Sequence, residues 1–296
     1  MKIIALIVTY KPKKEQVKSC INSLISQVSE IVVVNNDSSP ISWINNTEKI
    51  KIIELGENFG IAYAQNIGIE YSLDKGYDYV LLSDQDTVFP DDYVFKMEKA
   101  ILDNKRYKVA VFSPYFFDLT KNEYQTLMKN KFDSFSCDNS KSYYEVEHVI
   151  ASGMVIPREV LEDVGKMDEN LFIDWVDNEW CWRAKDKGYK IITCSNIIIK
   201  HNLGDTPKVF CGKKYTLRSA IRYYYIVRNA SYLKNSLYFS SNDKRRMKKR
   251  IFKMICGIII LTRFNHKNIR YVKMALYDAK HLRMGKFNSD NFWSDV

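Results

Sequence analysis

The chain has 296 residues, of which 46% are hydrophobic, 14% aromatic and 27% charged. That is globular composition with enough apolar material for a sizeable core, and it excludes intrinsic disorder, collagen-like repeats and small disulfide scaffolds. The formal net charge is +10, yet the first 239 residues carry 31 basic and 31 acidic side chains, so the whole excess lies in Ser240–Val296, with 14 basic against 4 acidic.

Six widely spaced cysteines without a CxxC pair, and only four histidines, argue against structural zinc and suit a reducing compartment. The opening MKIIALIVTY reads as a core strand and not a leader, because Lys11, Lys13 and Lys14 end the apolar run and no small-residue cleavage site follows. Ile3–Val8 is continuously apolar and β-branched, as in a strand covered on both faces. Val17, Cys20, Ile21, Leu24 and Ile25 then form a helical stripe. Further strands are predicted at Ile31–Val34, Ile50–Leu55, Tyr79–Leu82 and Val109–Phe112, with helices at Ile61–Leu73, stopped by Gly76, and at Asp91–Asp103. This alternation predicts a mostly parallel sheet with helices on both faces.

Phe116–Glu147 is polar and aromatic without a clear period and reads as a long excursion. Val149–Ile156 is a strand candidate, with Pro157 in the first turn of a short helix through Val164. Asp177–Lys187 reads as a helix ended by Gly188, Tyr189–Cys194 and Ile197–Lys200 as strands, and Tyr215–Asn235, Asp243–Leu261 and Asn268–Leu282 as helices. The expected organisation is an α/β catalytic domain over 1–210 and a helical, basic extension over 211–296.

Tyr79–Leu82 runs into Ser83-Asp84-Gln85-Asp86-Thr87. Ligands of open parallel sheets bind at the carboxyl ends of strands, where two carboxylates at i and i+2 can offer oxygens to a hard divalent cation and to a ribose. On spacing alone, a solvated turn that caps the next helix fits as well. Asp174, Asp177 and Glu179 form a second acidic cluster among Trp175, Trp180 and Trp182. A reaction at a hydroxyl needs a carboxylate to take its proton. Asp177 at a helix entry suits that task, with tryptophans to exclude water; helix capping is the plainer role.

The pieces IVTY (Ile7–Tyr10), VVNNDSS (Val33–Ser39), NFGIAYAQNIGI (Asn58–Ile69), LLSDQD (Leu81–Asp86), ASGMVIPR (Ala151–Arg158) and DWVDNEWCWR (Asp174–Arg183) stand in the order found in family 2 glycosyltransferases of the GT-A type. The chain resembles that family, in particular its bacterial rhamnosyltransferase-like branch. The resemblance implies a GT-A fold, with a Rossmann-like central sheet flanked by helices. It places Thr9 and Tyr10 at the nucleotide base, together with Asn36 and Asp37 from a loop where the family usually carries an Asp and this chain has Asn35 and Asn36. It also implies nucleotide contacts from Gly60, Asn66 and Asp84, with Asp86 as a ligand of Mg2+ or Mn2+.

In the family's EDxDLxxR pattern Asp177 matches the general base, Glu179 the third acid and Arg183 the arginine, while Val176 replaces the first acid. Asp174 is the reserve base, and Glu179 with Arg183 reads as an i,i+4 structural pair. His201, after Ile197–Ile199, stands where resembling enzymes often place a further metal ligand or a diphosphate contact. Arg222 and Arg228, with Arg218 on the face of Arg222, are candidates for the diphosphate.

The run Lys244–Arg250 precedes an apolar stretch too short to span a bilayer, and together they suit the headgroup layer of an acidic inner membrane. No nucleic-acid-binding motif accompanies the charge. The expected protein is therefore an inverting, metal-dependent glycosyltransferase at the cytoplasmic face of the bacterial membrane. Its implied donor is dTDP-rhamnose and its acceptor a hydroxyl of a cell-surface polysaccharide or its lipid-linked precursor. A UDP-hexose donor, a nucleotidyltransferase without a clear Gly-rich loop, and a non-catalytic carbohydrate-binding subunit are the alternatives. Oligomeric state is left open.

Overall fold

The computed structural model describes residues 1–119, 122–138, 140–201, 208–210, 213–215 and 217–288, with backbone alone at 201, 208–210 and 213–215. Its contacts divide the chain into two compact units: Met1–Asp168 with Asp177–Asn202, and Glu169–Val176 with Leu203–Val296.

The first unit alternates strand and helix as its apolar pattern dictates: β1 (Ile3–Thr9), α1 (Lys14–Leu24), β2 (Glu30–Asn35), β3 (Ile50–Glu54), α2 (Ile61–Asp74), β4 (Tyr79–Asp84), α3 (Tyr93–Asp103) and β5 (Val109–Asp118). Short strands β6 (Glu123–Tyr124), β7 (Leu127–Met128), β8 (Ser134–Phe135) and β9 (Tyr143–Val146) follow, and then β10 (Met154–Pro157), α4 (Arg158–Val164), α5 (Val176–Asp186) and β11 (Lys190–His201). The central sheet has the order β3-β2-β1-β4-β10-β5-β11-β9. All seven residues of β1 are buried. Full burial of each large aliphatic side chain there contributes about 1.5–3 kcal/mol. The buried stripe of α1 is Val17, Cys20, Ile21 and Leu24. At Gly68 of α2 an added Cβ would lie 2.1 Å from Leu6 Cδ1, so the glycine leaves room for this buried side chain of β1.

The helix-flanked α/β sheet stands as expected, but it is mixed where a mostly parallel one was predicted. β1–β2, β2–β3, β1–β4 and β5–β11 are parallel, whereas β10 is antiparallel to both β4 and β5, and β9 to β11. β10 starts only at Met154, after a turn in which Gly153 takes φ +79°. An added Cβ at that glycine would meet Pro114 Cγ at 2.7 Å. Pro157 stands just ahead of α4, in extended geometry, and not in its first turn. The two strands expected at Tyr189–Cys194 and Ile197–Lys200 are one, β11, with a register shift between Cys194 and Ile198.

In the second unit a 3-10 turn at Glu169–Leu171 is followed, after the gap in sequence, by β12 (Lys208–Phe210), β13 (Lys213–Tyr215), α6 (Ala220–Leu233), α7 (Ser241–Leu261) and α8 (His266–Lys280). Ser240 and Asp243 form a reciprocal capping box at the start of α7, and Asn265 caps α8. The core joins Phe172 to Tyr223, Tyr224, Tyr225, Val227, Ile258, Val272, Met274 and Ala275. Residues are grouped by contact with a break at Asn202–Leu203, and Glu169–Val176 groups with the helices.

Candidate functional site

β1 and β4 run side by side to their carboxyl ends, where Val8 pairs with Asp84. Beyond that pair the chains separate, and Gln85 bridges them: its Oε1 accepts from the Tyr10 N–H at 2.9 Å and its Nε2 donates to the Tyr10 carbonyl at 3.2 Å. Tyr10 is 43% exposed. Asp84 is half-buried and Asp86 exposed. The turn is fastened from below. Ser83 Oγ donates to the Asp84 carbonyl at 2.9 Å, and the Asp84 N–H donates to Ser152 Oγ at 3.3 Å. Under it lies Cys20, whose thiol burial pushes up to about 12, with the charges of Asp84 and Asp86 adding to the shift.

The loop after β2 is knitted into the same strand ends. Thr9 is buried and donates from Oγ1 to Asn35 Oδ1 at 2.9 Å; Asn35 in turn donates to Glu54 Oε2 at 2.6 Å and to the Ser39 carbonyl at 2.8 Å. Thr9 and Asn35 thus bond each other. Asn36 is buried, accepts from the Phe59 N–H at 2.8 Å and donates to Asn58 Oδ1 at 3.2 Å, which links this loop to the entry of α2. Asp37 accepts from the Lys11 N–H at 3.0 Å and from the Ser38 N–H at 2.8 Å. Gly60 precedes α2 with φ +92°, a left-handed conformation that favours glycine. Asn66 is buried and clasps one residue of the main chain, accepting from the Met167 N–H at 2.8 Å and donating to its carbonyl at 3.0 Å.

Asp177 lies in the first turn of α5 and accepts from the Ala151 N–H at 3.0 Å. Ala151 adjoins Ser152, whose buried hydroxyl holds both the Asp84 N–H and Thr87 Oγ1, the latter at 2.6 Å. One dipeptide thus carries a contact to each acidic cluster. The motif ASGM was legible in the sequence, but Ala151 and Ser152 gained no role from it; the small residues before a glycine were the available signal. Glu179 and Arg183 form the expected pair, at 2.8 and 2.9 Å, and Arg183 also donates to the carbonyls of Val164 and Lys166 at 2.6 and 2.8 Å. Trp180 and Trp182 are fully buried, which removes them as sugar-stacking faces. The Trp180 indole N–H donates to the Gly165 carbonyl at 2.8 Å.

In the second unit, Phe172, Asp174 and Trp175 take φ of +62°, +65° and +70°. Left-handed backbone at such residues is costly and persists where its surroundings over-determine it. α6 supplies those surroundings. Arg222 donates to both oxygens of Asp174, at 2.5 and 2.9 Å. Arg228 is completely buried and donates to the carbonyls of Gly285, Asn170 and Leu171 at 2.6, 3.1 and 3.1 Å. Asn229 donates to the carbonyls of Leu171, Ile173 and Asp174 at 2.8, 2.8 and 3.0 Å. Trp175 donates to the Ile226 carbonyl at 3.1 Å, and the Arg250 guanidinium stands 5.0 Å from its ring centre. Burial raises the Asp174 carboxyl above the usual range, against the opposing pull of Arg222. Arg228, expected at a diphosphate, is instead committed to main-chain carbonyls, and its burial is the physical reason.

His201 ends β11, but its side chain lies outside the described residues. Among the described residues no three His, Cys, Asp or Glu side chains gather as a metal-holding group. The donor set of the acidic turn still suits Mg2+ or Mn2+, because two hard carboxylates on a turn match ions that keep several waters and take their remaining oxygens from substrate phosphates.

Residues 5–165 match the family described as glycosyl transferase family 2. The chain is 34% identical over 234 residues, 77% of its length, to "dTDP-rhamnosyl transferase RfbF" of Shigella flexneri, and covers 78% of that protein. It is 27% identical over 288 residues, 93% of its length, to "Low-salt glycan biosynthesis hexosyltransferase Agl10" of Haloferax volcanii, and covers 89% of that protein. Among solved structures it resembles GalNAc-T7 with UDP, GalNAc and Mn2+ (12% identity, TM-score 0.57, 85% of this chain) and S. aureus TarS 1-349 with UDP-GlcNAc (15%, 0.56, 94%). It spans 54% of the GalNAc-T7 chain and 80% of the TarS chain. These likenesses show the GT-A-like fold. The chain belongs to glycosyl transferase family 2, as a GT-A-type glycosyltransferase that acts on a nucleotide-sugar donor.

Proposed function

We propose that the protein is an inverting, metal-dependent transferase that moves L-rhamnose from dTDP-rhamnose to a hydroxyl of a cell-surface polysaccharide or its lipid-linked precursor. The observation that carries this reading is the dipeptide Ala151–Ser152, with the Asp177 carboxylate on one residue and the Asp84–Asp86 turn fastened to the next. Asp177 takes the proton of the attacking hydroxyl as the new glycosidic bond forms and the donor's bond to its nucleoside diphosphate breaks. Asp174 is the poorer candidate, since both its oxygens already accept from Arg222. Asp86, with Asp84, holds Mg2+ or Mn2+. When bound, the ion supplies positive charge for the departing diphosphate. Thr9, Tyr10, Asn36, Asp37 and Gly60 line or shape the nucleotide pocket, and Asn66 supports it by holding Met167. The rhamnose assignment draws on the 34% identical relative, and a UDP-hexose is the alternative suggested by the hexosyltransferase relative.

Calorimetric titration of wild type and Asp86→Ala with dTDP, UDP and GDP, with and without Mn2+, tests this. Binding of dTDP that needs Mn2+ and disappears in Asp86→Ala is the expected result. Preference for UDP replaces rhamnose by a hexose, and no binding of any nucleotide by the folded protein overturns the enzyme reading.

The proposal includes contact with the cytoplasmic face of the bacterial inner membrane. No described helix is long and apolar enough to cross a membrane. α7 buries Met247, Ile251 and Ile258, while Phe252 is 69% and Ile260 47% exposed beside the exposed cations Arg245, Lys248, Lys249 and Lys253. Such a face suits acidic headgroups. Flotation with anionic vesicles is expected for wild type and lost when Arg245, Lys248 and Lys249 are replaced by Gln. Equal recovery of both in the soluble fraction removes the membrane from the proposal.

A further inference from the structure

Gln85 sits between the two acids of the turn, yet both ends of its amide are directed at a single residue, Tyr10, just past the end of β1. Oε1 accepts from the Tyr10 N–H and Nε2 donates to the Tyr10 carbonyl. A main chain meets both groups of one residue in this way only in an antiparallel pair, whereas in a parallel pair two residues share them. The clasp lies just past Val8–Asp84, where the parallel register of β1 and β4 ends. The side chain therefore joins the two chains beyond the end of their main-chain pairing. The amide does this with two separate atoms: a carboxylate accepts without donating, and an aliphatic chain does neither.

The residue after Tyr10 points the same way. Lys11 has φ +46°, a conformation that a lysine holds only under constraint, and its N–H is fixed by Asp37 Oδ2 at 3.0 Å. Tyr10–Lys11 is thus pinned on one side by the loop after β2 and on the other by Gln85. Movement of this dipeptide, which the proposed function places beside the nucleotide base, passes through the Gln85 amide to the acids on either side of it.

We infer that Gln85 is a positioning residue which ties the end of β1 to the acidic turn and thereby couples nucleotide binding to metal binding. This rests on the donor-site reading above. The coupling is reciprocal: whatever factor the metal adds to nucleotide affinity, the nucleotide adds to metal affinity.

The test uses the full chain with Gln85→Met, which keeps length and removes both bonds, and Gln85→Ala as a second variant. dTDP and UDP are titrated with and without Mn2+, and amide exchange is followed at Tyr10 and Lys11. The factor by which Mn2+ raises nucleotide affinity should fall about tenfold in Gln85→Met, as expected for the net loss of two hydrogen bonds. The metal-free affinity should change much less, and Tyr10 should exchange faster while thermal unfolding stays near that of wild type. A variant whose metal enhancement and Tyr10 exchange both match wild type overturns the inference. Failure of the underlying reading looks different. If Mn2+ has no effect on the wild type itself, the metal leaves the acidic turn and the coupling is overturned, even where Tyr10 still exchanges faster in Gln85→Met.

Discussion

The end of β4 and the segment Glu169–Val176 are built from similar residue types and use them in opposite ways. At β4 the supporting bonds come from Ser83, Ser152 and Gln85, all attached to main chain or hydroxyls, and Asp86 is presented to solvent. In Glu169–Val176 the carboxylate of Asp174 is itself bound by Arg222, and Arg228 and Asn229 spend their donors on carbonyls of Asn170, Leu171, Ile173 and Asp174. An acidic or basic side chain serves a ligand only where other groups hold the backbone. Where the backbone is left-handed three times within four residues, the charged groups themselves are consumed in holding it.

The largest effect that sharpens this contrast is on turnover. Asp177→Asn should lower kcat by about 10³-fold with nucleoside diphosphate affinity unchanged, the usual reach of a general base; near-normal single-turnover rates would remove Asp177 from that role. Next comes Arg228→Ala, which leaves several buried carbonyls without donors. Thermal or urea unfolding should register a loss of about 3 kcal/mol, and a merely catalytic defect at full stability would break the comparison. Arg222→Ala is expected to be mild, because its side chain is 38% exposed: about 1 kcal/mol or less, with dTDP affinity within about twofold of wild type. A tenfold loss of affinity would return Arg222 to the diphosphate. Smallest of all, Cys20 and Cys194, both with thiols pushed up to about 12 by burial, should resist iodoacetamide at pH 8, since they remain protonated there. Mass spectrometry of the intact and unfolded protein reads the difference.

β1, β2, β4 and α2 were legible because continuous apolar runs and a helix-stopping glycine leave few other readings. The direction of β10 was not. Met154–Pro157 is four buried residues whose apolar character is the same in either orientation, and only pairing with Leu82 and Phe112 decides it. The register shift in β11 was read as a gap because Ser195 and Asn196 interrupt the apolar run, although Ser195 Oγ donates to the Lys141 carbonyl at 2.6 Å within the strand. Within the site, the acidic turn and Glu179–Arg183 follow from spacing. Arg228 was misread since spacing alone cannot separate a solvated arginine from a buried one. The signal lay in its neighbours Tyr224, Tyr225, Val227 and Ala230, which surround it with buried positions on the same helix. Asn66 carried a similar sign, standing among the buried Ala62, Ala64, Gln65 and Ile69 of α2.

The placement of Glu169–Val176 has a consequence for anyone who recombines this protein with its relatives. A chimera that exchanged everything after residue 210 would bring in a foreign α6 and leave the native segment facing donors at unmatched positions. The exchangeable piece is discontinuous: it comprises the C-terminal helices together with an octapeptide located ahead of the last helix and strand of the other unit. Arg222, Arg228 and Asn229 bond a stretch some fifty residues upstream, so an exchange that keeps these bonds moves both pieces together despite their distance along the chain.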